Sequence, residues 1–187
     1  MIKAWQTIKD KELLVADPWI RVSRQEVLLP DGRIISDYYQ VKMQEFVTIV
    51  ALTPEGKVIT TWQYKHGIGK ASVAVPGGFI KPGEEPLAAA KRELREETGC
   101  EADEWASLGA YVCNASYGCG KAHYFLAWGA RKVGEPIPDD LEEMEFHLLD
   151  PEEIFKAISD GRVVAMGAVL AFAMAFNPKI SGHGGKR

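Results

Sequence analysis

Three carboxylates, Glu93, Glu96 and Glu97, share the heptapeptide KRELREE with the cations Lys91, Arg92 and Arg95. At about 100° per residue, a helix brings the three acids within an arc of about 100°. Like charges at i,i+3 and i,i+4 repel by about a few tenths of a kcal/mol per pair, so this face needs an offset. Arg92, Arg95 and solvent would make it a salt-bridged surface, and for the heptapeptide taken alone that is the more natural reading, since charge runs usually decorate a solvated face. A divalent cation is the other offset. Magnesium takes a few carboxylates and completes its octahedron with water and substrate phosphate oxygens.

The residues upstream favour the cation. A glycine-rich stretch, with Gly77, Gly78 and Gly83, lets backbone approach both a helix and a ligand closely. From Gly78 the chain runs GGFIKPGEEPLAAAKRELREETGC, with Glu84 after five residues and Arg92-Glu93-Leu94-x-Glu96-Glu97-x-Gly99-Cys100 after seven more. This resembles the Nudix box, G-x5-E-x7-R-E-U-x-E-E-x-G-U with U bulky and apolar, and every fixed letter is present. Cys100 takes the last U as a small hydrophobe.

The resemblance implies that Glu93 and Glu97 are magnesium ligands and that Glu96 is a third ligand or a base-like partner. It implies that Arg92 holds a carboxylate, Glu84 or Glu96, and that the carbonyl of Gly77 faces a metal. Gly78 is placed at the substrate. The implied cofactor is Mg2+, with Mn2+ as a substitute, and the implied reaction is hydrolysis of a nucleoside diphosphate linked to another group, in which metal charge polarises the pyrophosphate and activates water.

Beyond the box, the stretch from about Val22 to Phe176 resembles the ADP-ribose and nucleotide-sugar pyrophosphatase branch of that family. The similar segments are VTIVAL, QYKHGIGKASVAVPGG, LGAYVCNAS, HYFLA, DDLEEMEF and DGRVVAMGAVLA. Lys65 stands where the branch carries Arg, offering phosphate a point charge in place of a fork. Ala74 stands where the branch often has Glu. Tyr117 either stacks on a base or packs in its own loop. The acidic run Asp139 to Glu145 matches a loop that contributes a base or a further ligand, with Glu142 as the candidate beside Asp140 and Glu143. The resemblance thus implies an enzyme for a small nucleoside diphosphate derivative, ADP-ribose or a nucleotide sugar. Two rivals are a nucleotide-binding regulator without hydrolysis and a triphosphate-sanitising enzyme.

Positioning these groups requires a scaffold, and its signals are clear. Pro86 suits the first helical position and Gly99 the residue past the end, so a helix spans Pro86 to Thr98. Extended runs at Ile20–Leu29, Ile34–Val41, Phe46–Leu52, Val58–Tyr64, Ser72–Val75, Trp105–Cys113, Ala122–Trp128 and Glu145–Leu149 read as strands. Asp150 and Pro151 start a helix ending near Ser159, and Val163–Phe176 forms another. The fold class expected is α/β (α+β): a Nudix fold with a mixed β-sheet between helices and an N-terminal antiparallel hairpin extension. The expected organisation is an extension at 1–45, serving a homodimer, a catalytic domain at 46–180 and a tail at 181–187.

Composition agrees with a globular chain: 187 residues, 47% hydrophobic, 26% charged. A net charge of −4 leaves no basic excess for nucleic acid. The apolar run 163–176 falls short of the roughly 20 residues that span a bilayer. No membrane or nucleic-acid partner is expected, and three cysteines without a framework spacing read as thiols of the cytoplasm.

Overall fold

The structure is a computed structural model and describes residues 2–137 and 144–181. Asp139, Asp140, Glu142 and Glu143 lie outside the described residues. In chain order the elements are β1 (Gln6–Ala16), β2 (Ile20–Leu28), β3 (Ile34–Met43), β4 (Phe46–Leu52), β5 (Val58–Lys65), β6 (Lys70–Ala74), α1 (Pro86–Thr98), β7 (Cys100–Glu101), β8 (Glu104–Asn114), β9 (Cys119–Trp128), β10 (Arg131–Lys132), β11 (Met144–Leu149), α2 (Pro151–Ser159), α3 (Met166–Ala175) and α4 (Pro178–Ser181). They divide between two compact units. One comprises the residues up to Glu45 with Tyr111–Lys121, the other Phe46–Ala110 with the residues from Ala122 onward.

In the first unit β1, β2 and β3 form an antiparallel sheet. The hairpin expected from β2 and β3 therefore carries a third strand. β1 is exposed along nearly its whole length, so no buried face imposes a period-two alternation on QTIKDKELLVA. Buried Gln25 ties the strands together, its amide donating to Asp10 Oδ2 at 2.7 Å and Gln40 Oε1 at 3.2 Å. At the tip between β8 and β9, the Tyr117 carbonyl accepts the Val41 N–H at 2.9 Å.

The second unit is built on a mixed sheet in the order β11-β5-β4-β9-β8, with β4 parallel to β9 and β6 added to β5. Alternation along the strands feeds two cores. Val47, Ile49, Ala51 and Ile59 pack on Ala89, Ala90 and Leu94 of α1. On the opposite face Val50, Val58 and Leu126 meet Ile154 and Ala157 of α2 and Phe172 of α3. The sheet thus lies between helices.

Two details of this layer set the position of the glycine corner. β4 and β5 pair at Ala51↔Ile59 and Leu52↔Val58. Further along β4, the N–H groups of Ile49 and Val47 instead donate to the carbonyls of Pro76 and Gly78, both at 2.9 Å. The chain leaving β6 is therefore wedged where β4 and β5 splay. Gly77 admits that close approach, since a Cβ there would stand 2.2 Å from the Val47 carbonyl oxygen.

α1 starts with Pro86 at its first turn and stops at Gly99, whose φ of 69° and N–H to the Arg95 carbonyl close the last turn. α2 is held by a reciprocal cap between Asp150 and Glu153. α3 begins at Met166 and not at Val163: the Arg162 carbonyl accepts the Val73 N–H at 2.9 Å, which draws the preceding residues into an extended connection along β6. No helix among the described residues is long and apolar enough to cross a membrane. Cys100, Cys113 and Cys119 are free thiols.

Candidate active site

α1 presents its acids to the glycine corner, and Arg92 organises them. Its guanidinium grips Glu84 with two parallel bonds, Nε to Oε1 at 2.8 Å and Nη2 to Oε2 at 2.9 Å. Nη1 reaches Glu93 Oε1 at 2.6 Å and Glu96 Oε2 at 2.9 Å, and Nη2 also donates to the Phe79 carbonyl at 3.0 Å. One side chain thus pins three carboxylates and the loop ahead of the helix. Glu84 in turn accepts the Lys81 N–H at 2.9 Å, which closes the turn from Lys81 to Glu84. Glu97 is tied separately, accepting the Gly77 N–H at 3.0 Å.

Most of this cluster is shielded from water. Side-chain exposure is 19% for Arg92, 16% for Glu84 and 12% for Glu93, against 37% for Glu96. Burial pushes the Glu93 carboxyl up, opposed by the adjacent Arg92. The bidentate hydrogen bond from Arg92 holds the Glu84 carboxyl down to about 2. Gly78 is packed against Glu93: a Cβ there would stand 2.5 Å from the Glu93 carboxyl carbon. A glycine at that position is what leaves the carboxylate its place.

Three carboxylates, Glu84, Glu93 and Glu96, therefore share one guanidinium while Glu97 lies on the Gly77 N–H, and this surplus of negative charge suits a hard divalent cation. Among the described residues no three acidic, histidine or cysteine side chains converge at metal-ligand spacing. Arg92 Nη1 sits on Glu93 and Glu96 while Glu97 turns to the Gly77 N–H. The donor chemistry of these carboxylates fits a hard cation.

Other residues singled out in the sequence belong to other elements. Lys65 ends β5, exposed, next to a short 3-10 turn at His66–Ile68. Tyr117 belongs to the first unit and is 49% exposed. Glu142 lies outside the described residues. Glu84, matched by the box but given no site of its own, proves to be the main partner of Arg92. Its signal was the spacing, which sets it eight positions before Arg92, just ahead of the helix.

The grip on Glu84 has a measurable consequence. A carboxyl held at about 2 in the folded chain and near 4.5 when unfolded adds stability that is complete above pH 4.5 and is lost as pH falls towards 2. In acid titrations followed by circular dichroism, wild type is expected to exceed Glu84→Gln in stability at pH 6 and to converge with it as pH falls to about 2. A constant gap across that window would contradict the pairing.

Comparison with known proteins points the same way. The sequence pattern of the NUDIX domain matches residues 43–166, and that of the nucleoside diphosphate sugar hydrolase N-terminal domain matches residues 5–41. The chain is 33% identical over 136 residues to an ADP-ribose pyrophosphatase of Bacillus subtilis, covering 73% of this chain and 72% of the relative. It is 27% identical over 167 residues, 89% of each protein, to a methanol dehydrogenase activator of Bacillus methanolicus. A crystal structure of an ADP compounds hydrolase shares the fold with a TM-score of 0.79 at 19% identity, over 92% of each chain. With the domain pattern covering more than half of the chain and its box intact in sequence and gathered at one corner of the structure, the protein belongs to the Nudix hydrolase family.

Proposed function

We propose that the protein is a magnesium-dependent pyrophosphohydrolase, with manganese as a substitute, acting on a nucleoside diphosphate linked to another group. ADP-ribose or a nucleotide sugar is the substrate class, and the products are a nucleoside monophosphate and a sugar phosphate. The observation that carries this reading is the surplus of carboxylates at the glycine corner, three on the Arg92 guanidinium and Glu97 on the Gly77 N–H. The kinship with ADP-ribose pyrophosphatases supports the substrate class.

Glu93, Glu96, Glu97 and the carbonyl of Gly77 would hold the cation. When bound, it supplies the Lewis-acid charge that polarises a diphosphate and acidifies water. Arg92 holds one oxygen of Glu93 and one of Glu96 and so orients both side chains. Gly78 keeps its backbone free of a side chain where phosphate must approach. Lys65 contacts phosphate, Tyr117 meets the base, and Glu142 serves as the base that prepares water. Residues 1–45 act as a separate extension that joins two copies into a homodimer, and the enzyme works in the cytoplasm.

The test is a substrate panel. Purified protein with magnesium is expected to release AMP from ADP-ribose, or another monophosphate from a nucleotide sugar. Chelation should abolish release, and magnesium or manganese should restore it. Binding without product across the panel would mark a nucleotide-binding regulator. Faster pyrophosphate release from triphosphates would mark a sanitising enzyme.

A further inference from the structure

We propose that Lys70 acts with Lys65 as a two-pronged cationic contact for one phosphate of the substrate. This inference rests on the diphosphate reading above. Its starting point is strand register. β5 and β6 pair as Thr61↔Ala74, Gln63↔Ser72 and Lys65↔Lys70, so the two lysines stand directly opposite each other.

The face they occupy follows from alternation. Ile59 packs with Ala89, Ala90 and Leu94 of the carboxylate helix. A period of two carries Thr61, Gln63 and Lys65 onto that same face. Val58, Trp62 and Val73 belong to the opposite cluster, which leaves Ser72 and Lys70 of β6 beside Gln63 and Lys65. Along this face the lining changes in order. Ile59 is apolar core; Thr61, Gln63 and Ser72 are buried polar residues with 1%, 4% and 2% exposure; Lys65 and Lys70 are exposed cations. The face on which α1 lies thus ends in paired positive charge.

The connection keeps the pair in register. Gly69, at φ 67°, donates its N–H to the Lys65 carbonyl at 3.0 Å and so closes the turn after three residues of 3-10 helix. The chemistry explains why two lysines are needed. An arginine offers phosphate a planar fork, whereas a lysine is a point charge. Two ammonium groups from facing strand positions, with Cβ atoms about 5 Å apart, restore two separate donors. A phosphate group, doubly coordinated and negatively charged, is the ligand such a pair takes.

Lys70→Gln, Lys65→Gln and the double variant Lys65→Arg/Lys70→Gln separate the possibilities. Binding of ADP, measured by calorimetry with calcium in place of magnesium, needs no turnover, so it remains readable even if the hydrolysis reading fails. Lys70→Gln is expected to weaken ADP binding about ten-fold and to raise KM similarly, with kcat within two-fold and Tm unchanged. Uniform binding energy behaves this way. In the double variant the arginine fork should recover most of the lost affinity. Unchanged ADP affinity in Lys70→Gln, or an equal loss for adenosine, which has no phosphate, would overturn the pairing. Normal hydrolysis beside an unaffected Lys70→Gln would overturn it while leaving the proposed reaction intact.

Discussion

Glu97→Gln is expected to lower kcat by on the order of a thousand-fold while leaving the fold intact, a loss of about 4 kcal/mol in transition-state stabilisation. The geometry makes this substitution unusually clean. Glu97 accepts the Gly77 N–H at 3.0 Å, and the amide oxygen of glutamine accepts the same bond in the same shape. What disappears is the negative charge. If the role of Glu97 were to hold the glycine corner, the variant would retain activity. If its role is to hold a cation against diphosphate, the charge is the essential part, because amide oxygens are weaker ligands for hard dications than carboxylates. Steady-state kinetics against magnesium concentration distinguishes these cases. The variant should also need more magnesium for half-maximal rate, and a loss under ten-fold with unaltered magnesium dependence would remove Glu97 from the metal site.

How much of this arrangement the sequence reveals depends on what each feature is made of. α1 was readable to the residue, because Pro86 and Gly99 act locally on backbone dihedrals and nothing distant competes with them. The shared face of Glu93, Glu96 and Glu97 was likewise a matter of helical period. The strands buried on one face or both, β4 and β5 among them, were visible through their apolar runs. β1 was not, since a strand exposed along its length carries no burial pattern. The start of α3 was hidden for a different reason. Val163 is apolar and buried, so periodicity counts it with the helix, and only the bond from Val73 to Arg162 shows the chain still extended there.

The active corner divides along the same line. Residue types were legible, contacts were not. That Glu97 ties to Gly77, twenty positions earlier, follows from the splaying of β4 and β5, which no local pattern records. That Lys70 faces Lys65 follows from the length of one tight turn. Arg92 could be assigned a carboxylate by analogy, but that it holds Glu84, Glu93 and Glu96 together with the Phe79 carbonyl emerges from packing.

Arg92 is therefore where stability and catalysis meet, and Arg92→Ala should damage both. Its side chain and those of Glu84 and Glu93 are each less than a fifth exposed. Removing one partner from such a shielded group leaves the others uncompensated, which costs about 3–5 kcal/mol. For a domain of this size each kcal/mol lowers Tm by about 2–4 °C, so a fall near 10 °C is expected. Arg92→Lys should recover part of the stability but little activity, because an ammonium keeps the charge and loses the fork that holds Glu84 with two bonds while reaching Glu93 and Glu96. The variant also isolates the metal. With Arg92 gone, Glu84, Glu93 and Glu96 lose their shared guanidinium, and a divalent cation that binds the folded state should raise Tm more in Arg92→Ala than in wild type. Calorimetric scans with and without magnesium provide the reading. An Arg92→Ala protein that melts within 2 °C of wild type would show that the network contributes no net stability, and an equal magnesium effect in both would show that Arg92 and the cation answer different charges.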